Sequence, residues 1–486
     1  MKAAAVTRNE EALSRTRIPP LGPEAFRTAV ITALAKGRRL AAWFSVSDQE
    51  YCAVLADDQA GTLTWLGLAA EGGLDSLTPV CPQAHAFERE LAESSAFRPI
   101  GHPWLKPLRA LRAETPGGGE FFRVFGEEVH EVAVGPVHAG VIEPGHFRFQ
   151  CAGEKVLHLE IALGYQHRGV EQALRSAAPQ LAVAIAETAA GDTSIGHALA
   201  YAGVLEALAR TAVPPRALAL RAVALELERM ANHAGDLGAL AQDVGYLPTS
   251  AHCGRLRGDL LNLTAEVCGN RFGRGLVRPG GVAFDLEPER AGRIRKRLQT
   301  ILSELHLAMD LAWKSPSVMA RWEQAGRLSR KAAIELGVVG PAARACGLAR
   351  DVRQDFASGF YALAHIPLAL AHGGDVFSRA MVRWLEIQRS AGFVLEQLHS
   401  LPQGGIRVNV GPLAPSSAAA ALVEGWRGEI CHVALTDGHG GLAAYKIVDP
   451  SFHNWQALAL VMRNGEISDF PLCNKSFNLS YCGHDL

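Results

Sequence analysis

The strongest constraint on this fold is an apolar stripe in the second half of the chain. Ile294, Leu298, Ile301, Leu302, Leu305 and Met309 recur at i, i+4, i+7 and i+8. That is the period of a helix with one buried face. Residues 217–240 and 376–398 carry similar patterns, so the chain beyond Glu171 reads as a helical core. Such a core needs apolar material, and 486 residues that are 48% hydrophobic and 20% charged supply it. The opening MKAAAVTRNEEALSRTR lacks the continuous apolar run of a signal peptide. The apolar stretch 181–209 is interrupted by Glu187, Asp192 and His197. It falls short of the roughly 20 residues that a membrane helix needs. The expectation is a soluble chain docked on something else.

Around the helical core, the pattern changes to short β-favouring runs. AAWFSVSDQEYCAVLADD and GTLTWLGLAA suit a small α+β unit. In HAFERELAE, Glu88, Glu90 and Glu93 alternate with Phe87 and Leu91, as in a solvated surface helix. A Gly-rich joint follows at residues 115–120 (TPGGGE). After it, EVAVGPVHAG and HFRFQCAGEKVLHLEIALGY alternate as strands with tight turns, and β-like runs return between residues 405 and 449. The predicted architecture is α+β: an N-terminal tail (1–21), a small α+β docking domain (22–114), a linker (115–125) and a large, mainly helical domain with small flanking sheets (126–486).

Spacing alone yields little chemistry. The nine cysteines are scattered, the nearest two being Cys473 and Cys482. Disulfide frameworks and short-spaced thiolate metal motifs are therefore excluded. Walker A, G-x-G-x-x-G, H-E-x-x-H and G-x-S-x-G patterns are missing. A net charge of −1 gives no overall case for a nucleic-acid partner. Two stretches have an unusual choice of residues. GPVHAGVIEPGHFRF places His138, Glu143 and His146 in a Gly/Pro-rich turn, and GYQHRGVE places His167 and Arg168 before a helix. Polar groups on tight loops mark either sites or structural hydrogen bonds.

These two stretches, together with VPPRALALRAVALELERMANHAGDLGALAQDVG, VCGNRFGRGLVRPGGVAFDL, GPAARACGLARDVRQD, GGDVFSR and DPSFHNWQALALVMRNGEISDFPL, resemble a known family in order. The family comprises the large subunits of membrane-bound nickel–iron hydrogenases of the formate-hydrogenlyase type and the homologous quinone-site subunit of respiratory complex I. AFERELAESSAFRPIGHPWLKPLR is similar to the end of the small complex I subunit that packs on the quinone-site subunit. This likeness marks residues 87–107 as a partner-docking surface.

The resemblance also locates departures. It puts the hydrogenases' four thiolates on Ala190, Thr193, Ser480 and Gly483, with Cys482 one position out of register. A methyl, two hydroxyls and a hydrogen do not replace four soft ligands. The expectation is no metal site, and a cavity lined by Ala190, Gly191, Thr193, Ser480 and Gly483. The Tyr and His that hold a quinone headgroup in complex I fall on Gly191 and Ile142; His138, Glu143 and His146 are the nearby substitutes. His233 matches a His beside the partner subunit's terminal iron–sulfur cluster. Asp351 and Arg353 match a cavity-lining segment, and Asp243 an acidic position facing the membrane subunits.

The resemblance thus implies a peripheral-arm subunit on the cytoplasmic face of the inner membrane, taking part in electron transfer towards quinone. Its own active site is degenerate, it binds no cofactor of its own except a possible quinone, and its partners are an iron–sulfur small subunit and membrane subunits. Two readings stay open beside it: a non-catalytic scaffold, and an active hydrogenase in which Cys482, His484 and His197 replace thiolates.

Overall fold

A computed structural model describes residues 5–70, 73–109, 121–138 and 142–486. The predicted stripe forms one face of the helix Pro288–Trp313, with Ile294, Leu298, Ile301, Leu305 and Met309 buried and Leu302 partly so. It packs against Leu247–Cys268 and Val376–His399, which in turn flank the 29-residue helix Pro215–Asp243. This central helix is buried on all sides along most of its length, as expected only at the middle of a large core. Helices Ser194–Leu208 and Pro450–Met462 complete the bundle.

Among the described residues, three sheets of three or more strands surround it, beside two two-stranded pairings. The N-terminal sheet runs Ala5–Thr7, Thr62–Ala69, Glu50–Asp57, Arg39–Ser45, with Pro20–Leu21 added parallel to Thr62–Ala69. A three-stranded sheet orders Lys155–Ala162, His146–Ala152 and Val129–Val134. A third orders Leu442–Val448, Gly428–Thr436, Ser417–Gly425 and Leu13–Ser14. In it, alternate residues serve different cores. Ala418, Ala420 and Leu422 pack with the N-terminal unit, while Ala419 and Ala421 pack with the helices around Leu174 and Tyr201. A strand buried on both faces has no polar side to show.

Two expectations change here. The segment expected as a tail is paired structure from Ala5 onwards, joined through Leu13–Ser14 to the sheet of residues 417–448. The helix His85–Ser94 turns its charges inward. Glu88 is fully buried, accepting from Ser76 Oγ (2.6 Å), Leu77 N (2.7 Å) and Thr78 Oγ1 (2.6 Å). Glu90 meets Arg109 (2.5 Å) and Lys446 (2.7 Å). Phe87 packs on Phe452 at 4.9 Å between ring centres. The surface expected to dock a partner is thus covered in part by this same chain, because buried carboxylates need the donors that the fold supplies. The Gly-rich joint at 115–120 lies outside the described residues, and of the linker only residues 121–125 fall within them.

Candidate functional site

The GYQHRGVE loop sews the C-terminal helix Tyr481–Asp485 to the turn before Ser194–Leu208. Asp485 accepts from Gly164 N (2.8 Å) and Gln166 N (3.0 Å), and His167 Nδ1 lies 2.9 Å from Asp485 O. Arg168 donates to Thr188 O (2.6 Å), Ala189 O (3.0 Å) and Cys482 O (3.2 Å). Residues 190–193 and 480–483, far apart in sequence, are thereby brought to one corner.

Much of that corner is filled. Thr193 Oγ1 accepts from Trp426 Nε1 (3.1 Å) and Arg427 Nη1 (3.3 Å). Arg427 also pairs with Asp192 at 2.6 Å and lies 3.9 Å over the Trp426 ring. Ser480 Oγ caps the last helix by accepting from Gly483 N (2.9 Å). A Cβ at Gly483 would sit 2.7 Å from Asp449 Cγ, so no cysteine fits there without a shift. Ala190 is buried, and Gly191 faces open space. At Thr193, Ser480 and Gly483, three of the five positions of the expected cavity, hydroxyls and neighbouring side chains take up the space, whereas Gly191 faces open space. The residues do not fit a four-thiolate centre in type or in space.

The alternative ligand set also fails on geometry. His197 uses both nitrogens, Nε2 on Asp449 (3.1 Å) and Nδ1 on His432 (3.0 Å), whose own Nδ1 meets Tyr445 OH (2.8 Å). His484 Nδ1 meets Asp485 Oδ1 at 2.9 Å. Burial, with Glu143 beside it, pushes the Cys482 thiol up to about 11, away from the thiolate a soft metal needs. Among the described residues, no group of three or more His, Cys, Asp or Glu converges to hold a metal.

Of the three loop candidates, Glu143 reaches the corner, accepting from Tyr481 N (3.2 Å) and Cys482 N (3.4 Å). His138 and His146 each spend a nitrogen on their own loop, at Gly145 O (3.1 Å) and Gly135 O (3.2 Å). Ile142 is exposed. Asp243 ends the central helix on the exposed surface.

His233, Asp351 and Arg353 meet in a second place, a buried ion network deeper in the helical core. Glu386 lies at its centre. It takes Arg344 Nη2 at 2.8 Å, His233 Nε2 at 2.8 Å, and a short contact from Arg229 Nη2. Arg344 continues to Glu424 (2.8 Å) and Asp351 (3.7 Å). Arg353 joins Asp351 (2.6 Å) to Glu226 (3.1 Å). Glu226 accepts from Tyr361 OH (2.7 Å) and Ser390 Oγ (2.5 Å) and pairs with Arg229 (3.3 Å). Three guanidiniums thus face four carboxyls.

Burial opposes ionisation of Glu386, but Arg344 and Arg229 hold it well below the usual carboxylate range. Asp351 is held at about 2 against burial by Arg353 and Arg344. Glu424 behaves differently: burial pushes it up to about 7 despite Arg344, with Asp351 adding to the rise. Burial lowers His233 in spite of its hydrogen bond to Glu386. Its Nδ1 has no hydrogen-bond partner. At neutral pH the surplus proton of the network therefore belongs on Glu424 rather than His233.

Sequence reading missed Glu226, Arg229, Arg344, Glu386 and Glu424. A usable signal was present in ALELERMANH: Glu226, Glu228, Arg229, Asn232 and His233 sit in a helix that is otherwise Ala- and Leu-rich. Charges buried in such a helix require partners.

Known proteins resemble this chain in sequence and in fold. Residues 243–419 match the family described as respiratory-chain NADH dehydrogenase, 49 kDa subunit. The carbon monoxide-induced hydrogenase of Rhodospirillum rubrum is 32% identical over 353 residues, 72% of this chain and 97% of that protein. Formate hydrogenlyase subunit 5 of Escherichia coli K12 is 28% identical over 455 residues, 87% of this chain and 79% of its own. A chain in the structure of the membrane-bound sulfane sulfur reductase, an archaeal respiratory membrane complex, shares the fold. Its TM-score is 0.69 at 22% identity, over 75% of this chain and all of that one. The chain belongs to the family of membrane-bound hydrogenase large subunits and 49 kDa-type NADH dehydrogenase subunits.

Proposed function

We propose that this chain is a peripheral-arm large subunit of a membrane-bound oxidoreductase complex, taking part in electron transfer towards a quinone without a nickel–iron site. One observation carries the reading: the corner where the family resemblance puts four thiolates holds Ala190, Thr193, Ser480 and Gly483, while the ion network around His233 is intact. Among the described residues no helix is long and apolar enough to cross a membrane, so attachment runs through partners. Those partners are an iron–sulfur small subunit and membrane subunits, with this chain on the cytoplasmic face and Asp243 towards the membrane side. His233, held neutral by burial beside Glu386, is the group whose proton affinity answers a charge change on the partner's cluster.

The filled corner favours a second reading, a scaffold that only connects its partners. Glu143, His138 and His146, beyond the structural hydrogen bonds they make in and beside their loop, supply the polar groups for a quinone beside the corner. Titrating the purified complex with a quinone analogue separates the two. Displaceable binding that weakens in a His146→Ala variant supports the redox reading, and no saturable binding supports the scaffold. The parent proposal is tested by solubilising membranes, isolating the complex through this chain and identifying its subunits by mass spectrometry. Stoichiometric recovery of an iron–sulfur small subunit and membrane subunits is expected. Recovery of a lone, membrane-free chain contradicts it.

A further inference from the structure

A cavity of about 550 Å³ lies between the N-terminal segment at Glu10, helix Ser194–Leu208, the central helix Pro215–Asp243, the turn Gly359–Ala362 and the strand Ser417–Gly425. Its walls are partly apolar, with Leu199, Leu218 and Leu225. Three members of the buried ion network also line it: Arg353, Tyr361 and Glu424. The network is otherwise enclosed, since Glu226, Arg229, His233, Arg344 and Glu386 are at most 1% exposed.

Glu10 is placed in this cavity by an unusual backbone. Its φ is +57°, in the left-handed region, a conformation that costs a non-glycine residue energy and marks positions held for a reason. Its amide N–H donates to Ala420 O at 3.0 Å. Its carboxyl lies over Gly203, where a Cβ would approach Glu10 Oε1 to 2.6 Å. Both the bent backbone and the bare helix face are needed to seat this carboxyl, which bonds Ser358.

Four carboxyls against three guanidiniums leave the network one proton short of neutrality. A buried surplus charge is costly, so one proton must be held there and must be able to exchange. Glu424 holds one oxygen on Arg344 Nη1 (2.8 Å) and the other on Val352 N (3.1 Å), with its side chain at the cavity wall. We propose that this cavity is the proton port of the ion network, Glu424 being the group that takes up and releases its exchangeable proton and Glu10 the group that passes it to and from solvent.

The groups facing Glu424 are Arg344, Asp351, Arg229 and Arg353, with Glu429 opposite it on the paired strand and itself held by Arg39. Glu10 faces Glu206, Arg221 and Ser358, and the cavity also holds Glu11 and Arg210. Burial pushes Glu10 up to about 7, with Glu206 adding to the rise, so both carboxyls change charge in the same range. The volume is ample for several waters. The step is proton transfer alone: the O–H bond at Glu10 breaks, a cavity water relays the proton, and an O–H bond forms at Glu424. Nothing is oxidised or reduced. The port's use during turnover rests on the function proposed above, but the port itself is a property of the resting protein.

Infrared titration of the carboxyl stretch in the purified full chain tests it, with Glu10→Gln and Glu424→Gln as variants. The wild type is expected to lose protonated-carboxyl signals as pH rises from about 6 to about 8, those of Asp355 and Glu228 flanking the two near 7, and each variant is expected to lack one of the two near 7. In Glu10→Gln, deuterium exchange at the remaining signal is expected to slow by on the order of a hundredfold, the share a positioned proton carrier supplies. Equal melting temperatures of wild type and variant at pH 5 show that the fold is kept. If Glu424→Gln does not fold, the exchange rate in Glu10→Gln decides alone. Variants that both keep every carboxyl signal titrating near 7, or unchanged exchange in Glu10→Gln, overturn the proposal, whatever the subunit composition of the complex.

Discussion

The corner at Thr193, Ser480 and Gly483 and the network around Glu386 are both buried in the helical core, yet they are built differently. In the corner, small residues are held by short-range contacts: a hydroxyl cap at Ser480, a hydroxyl under Trp426 at Thr193, and one charge pair between Arg427 and Asp192. In the network, seven charged side chains and a histidine depend on each other across five elements of the chain. The corner has exchanged chemistry for packing. The network keeps its titratable groups and, with four carboxyls against three guanidiniums, a place for one bound proton. One buried region of the same fold is thus built on packing and the other on charge, which argues that the network has a use of its own.

Variants that strike the two regions differently sharpen or break this contrast. The largest effect is expected from Glu386→Ala, which leaves Arg229 and Arg344 without their shared carboxylate. Removing one partner of a buried pair costs on the order of 3–5 kcal/mol, measurable by urea denaturation. A cost below about 1 kcal/mol, the scale of an exposed pair, would mean that the network is not mutually dependent. Next is the corner: Gly483→Cys, alone or with cysteines at 190, 193 and 480, forces a side chain against Asp449. A loss of about 1–3 kcal/mol is expected, with no nickel retained after dialysis against it. Stoichiometric nickel in the four-cysteine variant would show that the corner is still a metal site in shape.

A smaller effect concerns pH. The folded-state values of Glu424 and Glu228 lie above their unfolded values, at about 7 and about 8, the latter raised by burial against the amides of Ile195 and Gly196. Their contribution is complete below the unfolded value near 4.5 and is lost as pH rises through 7 and 8. Glu424→Gln should therefore flatten the fall in stability between pH 5 and pH 8 by about 1 kcal/mol, read from melts across that range. The smallest effect is expected at Asp243→Asn, on the exposed end of the central helix, where stability should stay within about 0.5 kcal/mol. Any change there should appear only in assembly with membrane subunits.

How much of this was legible in the sequence follows from which interactions are local. The helix Pro288–Trp313 could be read because its stripe is a one-sided pattern within 16 residues. The strand SAAAALVEG shows no alternation, because its two faces serve two apolar cores; its β character was readable, its central position was not. Glu88 and Glu90 read as solvated since their partners, Ser76, Thr78, Arg109 and Lys446, lie elsewhere in the chain. The same distance hides the network, where Arg353 meets Glu226 across 127 positions. Resemblance located His233, Asp351 and Arg353 individually, but only the fold joins them to Glu386 and Glu424. Resemblance also predicted a hollow at the former ligand positions. The small residues at 193 and 483 are instead met by Trp426, Arg427 and Asp449, contacts that only the fold reveals.

The account stands or falls most directly on the metal content of the native complex isolated through this chain. Elemental analysis is expected to find iron, from the partner's clusters, and nickel far below one atom per chain. One nickel per chain would contradict it.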